Sequence, residues 1–373
     1  PTLVRAAMAI QAAEGQHLQA GLYPNPSLFY RGEEIGNAGT QGLQGGGFLQ
    51  EIVTARKRQY GQGTASYAIE QARYGFESQR MRIVNDARLA FYAVLLAQKM
   101  LTVTHRLVEI GEQGVDTTEK LHAARSVSLT DVLQARIEYQ SAQLRRNQAE
   151  NRHQAAWRQL SSVIGDPCFG PQPLLGDAEA DLPELDWEGA LQAVLTQSPE
   201  LAQAFAAVER ARQNLGLQCA RRTPNVMVEA GAIYDTDSNS TAANAALIVP
   251  VPIFNRNQGN ILQAQSQVAA AEREVQRVEL DLRNRLASTY EQYANARQQV
   301  EAYRDHILPN ANKSLELTGS GYQQGEFDYL TLLTAQRTYF QANLAYLRSL
   351  SQLRARSVEL EGLLLSNSLA ADN

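Results

Sequence analysis

Cysteine is nearly missing from this chain. Two residues in 373, Cys168 and Cys219, make neither a disulfide framework nor a metal-binding spacing. They are expected to be two unpaired small hydrophobes. Long apolar runs are missing too. No stretch of about 18 such residues occurs, so no transmembrane helix is expected. That does not exclude a membrane β-barrel, whose strands are weak signals of about ten residues each. Positive charge is not in excess. The net charge is -5 and spread along the chain, which leaves no basic stripe for nucleic acid. Catalytic signatures are lacking. Gly45, Gly46 and Gly47 come without the Lys-Ser/Thr of a phosphate loop, and neither Gly-x-Ser-x-Gly nor His-Glu-x-x-His occurs. His17, His105, His122, His153 and His306 are scattered, with no ligand pair one helical turn apart. Neither an enzyme, a cofactor site nor a metal site is expected.

What is present is a long-helix composition, rich in Ala, Gln, Arg, Leu and Glu, and a duplication. A shift of 198 carries Pro1 onto Pro199, Leu3 onto Leu201, Pro26 onto Pro224, Arg58 onto Arg256 and Tyr92 onto Tyr290. After a slip of two the shift becomes 200, and Leu133, Ala135, Tyr139, Ala142 and Leu160 fall on Leu333, Ala335, Tyr339, Ala342 and Leu360. Internal repeats decide architecture before any local signal does. The expected domains are therefore two structural repeats, 1–186 and 187–373. Pro1 then falls inside a helix, so an export signal is expected to precede it.

Each repeat reads as helix, two short strands, very long helix, tip and long helix. In the first, a helix over 1–23 is stopped by Pro24 and Pro26. Strands follow at 27–35 and 45–53, separated by a loop of Gly, Asn and Thr. A helix of about 80 Å runs over 54–109. A break spans 111–128, a helix 129–163, and a proline-containing linker 165–186. In the second repeat a helix covers 187–221, broken near Pro199. Strands follow at 225–234 and 244–253, then a helix at 257–307 closed by Pro309. A break at 318–327 and a helix to about 365 complete it, with a polar tail. Val226, Val228, Ala230, Ala232 and Tyr234 share one strand face, and Ala245, Leu247, Val249 and Val251 share another. Pro250 and Pro252 punctuate the passage from strand to helix. Val268, Val275 and Leu282 are seven apart, which is a coiled-coil spacing.

Four strands cannot leave open edges in lipid. The simplest closure joins four strands from each of three copies into a twelve-stranded barrel, an even number within the bacterial range. The long helices would then form a tube beneath it. The competing reading is a soluble periplasmic coiled-coil scaffold, whose strands would form a small ordinary sheet.

Four stretches carry a resemblance: Tyr23–Leu28 (YPNPSL), Gln50–Arg58 (QEIVTARKR), Val249–Gly259 (VPVPIFNRNQG) and Tyr322–Leu330 (YQQGEFDYL) with Leu333–Arg337 (LTAQR) after it. In this order and duplicated, they make the chain resemble the TolC-type outer-membrane efflux proteins over essentially its full length. The second and third stretches are most similar to the heavy-metal branch of CzcC and CusC. The resemblance implies a fold that is mainly α with a small β part: a homotrimeric α-barrel topped by a twelve-stranded outer-membrane β-barrel. It implies a passive channel-tunnel set in outer-membrane lipid. Its partners would be a periplasmic adaptor protein and an inner-membrane pump of the RND type. It also implies that the tips form a periplasmic gate. Arg125 stands at a glycine-like place and Asp131 at a carboxylate place. Thr331 takes the equivalent position in the second repeat, with Asp328 as a nearby substitute. Three carboxylates on an axis would favour cations; as an alternative, Asp131 serves only its helix dipole. Gly114, Ser126, Tyr322, Gly325 and Phe327 are the tip residues expected to meet the adaptor.

Overall fold

The structure is a computed structural model and describes residues 2–36, 39, 41–166 and 168–369. Part of the Gly/Asn/Thr loop, Pro167 of the linker and the end of the polar tail lie outside these residues. The first repeat gives helix α1 (Thr2–Gly21), strands β1 (Ser27–Glu33) and β2 (Leu43–Ile52), and helices α2 (Lys57–Ala123) and α3 (Leu129–Ile164). The second gives α4 (Trp187–Gln197), α5 (Pro199–Ala220), β3 (Val226–Asp235), β4 (Ser240–Ile248), α6 (Gln258–Ala302), α7 (Leu308–Gln324) and α8 (Tyr329–Glu361). A single π turn, Tyr303–Ile307, joins α6 to α7.

Two compact units cut across the repeats. One is built from Ser78–Ser198 with the chain from Asp281 onward. The other is built from Leu3–Glu77 and Pro199–Leu280. Each unit draws on corresponding stretches of both repeats.

The first unit is a helical bundle held by a seam of small residues. In α3, Ala135, Ala142, Ala149 and Ala156 recur every seven residues and all are buried. In α8, Ala335, Ala342 and Ser349 take the same positions. Seven-residue spacing keeps one stripe facing the partner helix, and alanine lets the axes come close. Below the seam's end, Trp157 is fully buried against Phe169 at 5.3 Å between ring centres.

Several boundaries differ from the expectation. The break at 111–128 is much shorter, because α2 continues to Ala123. Gly111 lies within the helix: a Cβ there would stand 3.2 Å from the Tyr139 Cα, so glycine serves close helix packing and not a turn. The break at 318–327 shrinks likewise, since α7 runs to Gln324. Pro309 does not close a helix. It sits in the first turn of α7, where a missing N–H costs little. Helix 187–221 does break at Ser198, whose N–H closes α4 on Val194 before Pro199 starts α5. Cys168 and Cys219 are free and exposed, not packed as small hydrophobes.

The second unit holds one antiparallel sheet in the order β1-β2-β3-β4. β4 begins at Ser240 instead of 244 and stops at Ile248, before Pro250. A tight turn makes this possible. The Asp235 carboxylate accepts hydrogen bonds from the Asp237 amide at 2.9 Å and the Ser238 hydroxyl at 2.7 Å, and Asn239 takes φ 50°. Gly47 is paired with Gly231 in the ladder. A Cβ on Gly47 would lie 2.3 Å from the Ala230 carbonyl, so these strands approach only because glycine is there. The triglycine that lacks phosphate-loop partners thus belongs to a strand.

Candidate functional site

Two places carry the features on which function would depend. The first is the pair of tips in the helical unit. Each tip uses the same stop and start. At the end of α2, the Arg125 amide donates to the His122 carbonyl (2.8 Å) and the Ser126 amide to the Leu121 carbonyl (2.9 Å), with Arg125 at φ 61°. At the end of α7, Gly325 donates to Tyr322 (3.1 Å) and Glu326 to Gly321 (2.8 Å), with Gly325 at φ 76°. This is a left-handed helix stop that glycine normally fills. Arg125 adopts this conformation despite its side chain.

The restarting helices exchange a carboxylate. In α3 the Ser128 hydroxyl caps the Asp131 amide (3.2 Å), and Asp131 accepts back from the Ser128 amide (3.0 Å). In α8 the roles reverse: Asp328 is the cap, accepting from the Thr331 amide at 3.0 Å. The capping box of α3 is thus replaced in α8 by a single N-cap, with the acid moved from the third helical position to the cap itself. The Thr331 hydroxyl and amide hold the Asp328 carboxyl below its ordinary pKa. Asp328 is exposed and Asp131 half-buried, and both are engaged by their own helix termini.

Tip residues separate into groups. Ser126 and Phe327 are exposed at the turns. Phe327 lies over Gly321, where an added Cβ would strike its ring at 2.4 Å. Tyr322, by contrast, is 4% exposed and stacks on Tyr329 at 5.8 Å. Gly114 lies well inside α2. Both line a groove of about 340 Å³ between α2 and α7, shared with Thr117, Leu315, Gly319 and Ser320. Burial raises the pKa of Tyr322, and pushes that of Tyr329 up to about 12, so both phenols stay neutral.

The sequence reading missed what ties the tips together. Ala135, Tyr322, Tyr329, Leu332 and Leu333 form one buried cluster joining both hairpins. Arg136 pairs with Glu119 at 2.6 Å, and Arg337 pairs with Glu138 across α8 and α3. The available signal was the 200-residue shift, which carries Ala135 onto Ala335 and Leu133 onto Leu333.

The second place is the sheet. By register, Leu28, Tyr30, Phe48, Ile52, Val226, Val228, Ala230, Ala232, Tyr234, Ala245 and Leu247 share one face. That face is apolar yet open: Leu28 is 87% exposed and Leu247 68%. The alternation read in β3 is thus seen in the sheet, and in β4 it holds for Ala245 and Leu247, while Val249 and Val251 lie past the end of the strand. The other face is polar at its centre. Glu229 is buried there, 3.3 Å from Arg31 and 3.4 Å from the Asn244 amide. β1 and β4 are both edges with no partner among the described residues. No helix among those residues is long and apolar enough to cross a membrane. No cluster of His, Cys, Asp or Glu there has metal-holding geometry.

Residues 190–364 match the family described as outer membrane efflux protein. The cobalt-zinc-cadmium resistance protein CzcC of Cupriavidus metallidurans is 28% identical over 97% of this chain and 86% of its own length. Outer membrane protein TolC of Escherichia coli is 23% identical over 79% of this chain, and the match spans 66% of that relative. Among solved structures, a crystal structure of CusC superposes with a TM-score of 0.78 at 19% identity, covering 98% of this chain and 89% of that one. Residues 190–364 thus match the outer membrane efflux protein family, and the chain is similar in sequence to CzcC and TolC and in fold to CusC.

Proposed function

We propose that the chain is a passive conduit that trimerises and completes a tripartite exporter. It receives metal ions or other small molecules from an inner-membrane pump of the RND type through a periplasmic adaptor. The observation that carries this reading is the sheet. A four-stranded ladder with two open edges and a largely open apolar face is an aggregation hazard in water, whereas three such sheets closing edge to edge in lipid satisfy every backbone group. The polar face around Arg31, Glu229 and Asn244 would then line a water-filled lumen. A soluble scaffold has no use for that arrangement. The name of CzcC, a cobalt-zinc-cadmium resistance protein, favours divalent metal as cargo. A conduit of this kind need not coordinate what it passes.

The tips would serve as gate and dock. Asp131 and Asp328, with Arg125 and Thr331 beside them, would set the charge at the constriction. Ser126, Gly325 and Phe327 on the turns, with Gly114 and Tyr322 in the groove, would meet the adaptor. Imaging of the full-length protein in mild detergent, followed by single-channel recording, tests the whole reading. A threefold hollow particle that conducts, and that loses cation preference in the Asp131→Ala and Asp328→Ala double variant, is the expected result. Monomeric rods that never conduct would overturn the conduit. Unchanged ion selectivity would remove both aspartates from the gate.

A further inference from the structure

Every charged residue of the four strands lies on the polar face of the sheet. Glu33 of β1 and Asp235 of β3 share the row nearest the two hairpin loops. Glu51 of β2 lies at the opposite end, beside Met227, and accepts from the Asn225 amide at 2.6 Å. Glu229 of β3 is in the middle. Arg31 of β1 is the one base among these strand residues, so the face as a whole is acidic.

Arg31 and Glu229 are not neighbours in the ladder. β2 runs between them, and two strand spacings of ~4.8 Å each separate their backbones. Arg31 is opposite Gly45, and Glu229 is opposite Leu49. The line that joins the two side chains therefore passes over Gly47. With no side chain at Gly45 or Gly47, the guanidinium lies across β2, 3.3 Å from the Glu229 carboxylate. The Phe29 ring, opposite Gly47, sits 5.4 Å beneath the guanidinium, and Glu33 stands 3.6 Å from its other side. Asn244 completes the group. Its amide nitrogen donates to Glu229 at 3.4 Å, and its amide oxygen fills space that only glycine at 231 leaves, 2.9 Å from where a Cβ would be. The exposure of the pair is unequal. The Glu229 side chain keeps 9% of its surface and Arg31 keeps 45%. The carboxylate is sealed, and the base that seals it stays wet.

An acidic wall draws cations, but conduction requires that each bound ion also leaves. A carboxylate with an amide oxygen beside it is a ligand pair for a hard divalent cation. The Asn244 amide oxygen is buried and has no hydrogen-bond partner among the described residues. Glu229 and Asn244 lack only the removal of Arg31 to become such a trap. We propose that Arg31 is a specificity-determining residue: a tethered cation that occupies Glu229, so that the acidic face attracts divalent cations without holding them. The glycines of β2 are part of the device, since they let one base on β1 reach an acid on β3. The role in transport rests on the conduit reading, in which this face lines the passage.

Manganese(II) is the probe, because it favours carboxylate and carbonyl oxygen over thiolate. Full-length wild type, Arg31→Gln and Arg31→Gln/Glu229→Gln proteins are purified in mild detergent, and bound manganese is counted by electron paramagnetic resonance. Arg31→Gln is expected to bind the ion about tenfold more tightly than wild type, the scale on which one adjacent charge shifts a carboxylate's affinity for a proton. The double variant should lose the gain. In single-channel records manganese should block Arg31→Gln and leave the wild type conducting. Arg31→Lys, a point charge without the guanidinium fork, should bind with intermediate strength, and it carries the test if Arg31→Gln does not fold. Equal binding by the wild type and the folded variant would overturn the proposal. So would a gain that persists without Glu229. If Arg31→Gln gains the ion but no protein conducts, the shielding of Glu229 stands and the conduit reading fails.

Discussion

Arg354 is the residue that fastens the linker to the bundle. It is 4% exposed, lies over the Tyr92 ring at 4.8 Å and satisfies three linker carbonyls. Removing it leaves acceptors buried without a donor, and each unsatisfied group costs roughly 1–3 kcal/mol. Arg354→Met keeps the volume and should cost at least about 2 kcal/mol, read as a drop in thermal midpoint and faster exchange over 177–184. Charges in the linker and at the tip set an acid limit. The Glu179 amide and Lys99 hold Asp177 below its ordinary pKa, as Thr331 does for Asp328. A carboxyl with a depressed folded pKa stabilises above its unfolded value of about 4, and that contribution is lost as pH falls through the folded value. Stability should therefore decline from about pH 4 downward. Asp328→Asn, which still caps α8, should remove the tip's share of the decline, measured by exchange at 329–332 against pH. Ser128→Ala should cost about 1 kcal/mol at neutral pH, read as a drop in thermal midpoint.

At the level of elements, glycine decides what the sheet can be. β2 carries Gly45, Gly46 and Gly47, and the facing strand carries Gly231. Strand propensity speaks against this composition, yet the strand is ten residues long. Close approach is the reason: the nearest backbone atoms leave no room for a Cβ at Gly47 or Gly231. Gly47→Val should force β2 from β3 at about 1–3 kcal/mol, visible as loss of β signal with the helices intact. In the helices the heptad seam was legible, because Val275 and Leu282 needed only a period. Helix ends were less so. Gly111, Gly114, Thr318 and Pro309 all read locally as breakers, and packing in the bundle overrode each of them. The turn before β4 was misplaced for a similar reason: Ser240 to Ala243 are weak strand formers that pair because Ala232 to Asp235 lie opposite.

At the scale of the molecule, the exposed face of the sheet ties structure to location. Tyr30 and Leu28 on β1 and Leu247 on β4 project from one face into the surroundings. In a lipid-seated sheet, an arginine or lysine at such a place costs about 2–4 kcal/mol near the midplane. Tyr30→Arg with Leu247→Lys should leave the helical bundle folded and abolish outer-membrane recovery on fractionation. Matching changes on the polar face, such as Asn244→Lys, should leave recovery intact and alter ion selectivity.

Some of this protein was determined by sequence alone. The duplication, the α-helical bulk, the alternation of Val226 to Tyr234 and the left-handed stop at Gly325 all follow from local periods and single-residue conformational limits. Tertiary structure decided the rest. Gly111 became a contact and not a turn because Tyr139 lies against it. The linker is held to the bundle because Arg354, Lys99 and Tyr293 converge on it from three helices. The acid of the capping box changed place between Asp131 and Asp328 without loss of the cap. Periods and propensities act within a few residues of chain, whereas close approach, buried hydrogen bonding and register between helices exist only once distant segments have met.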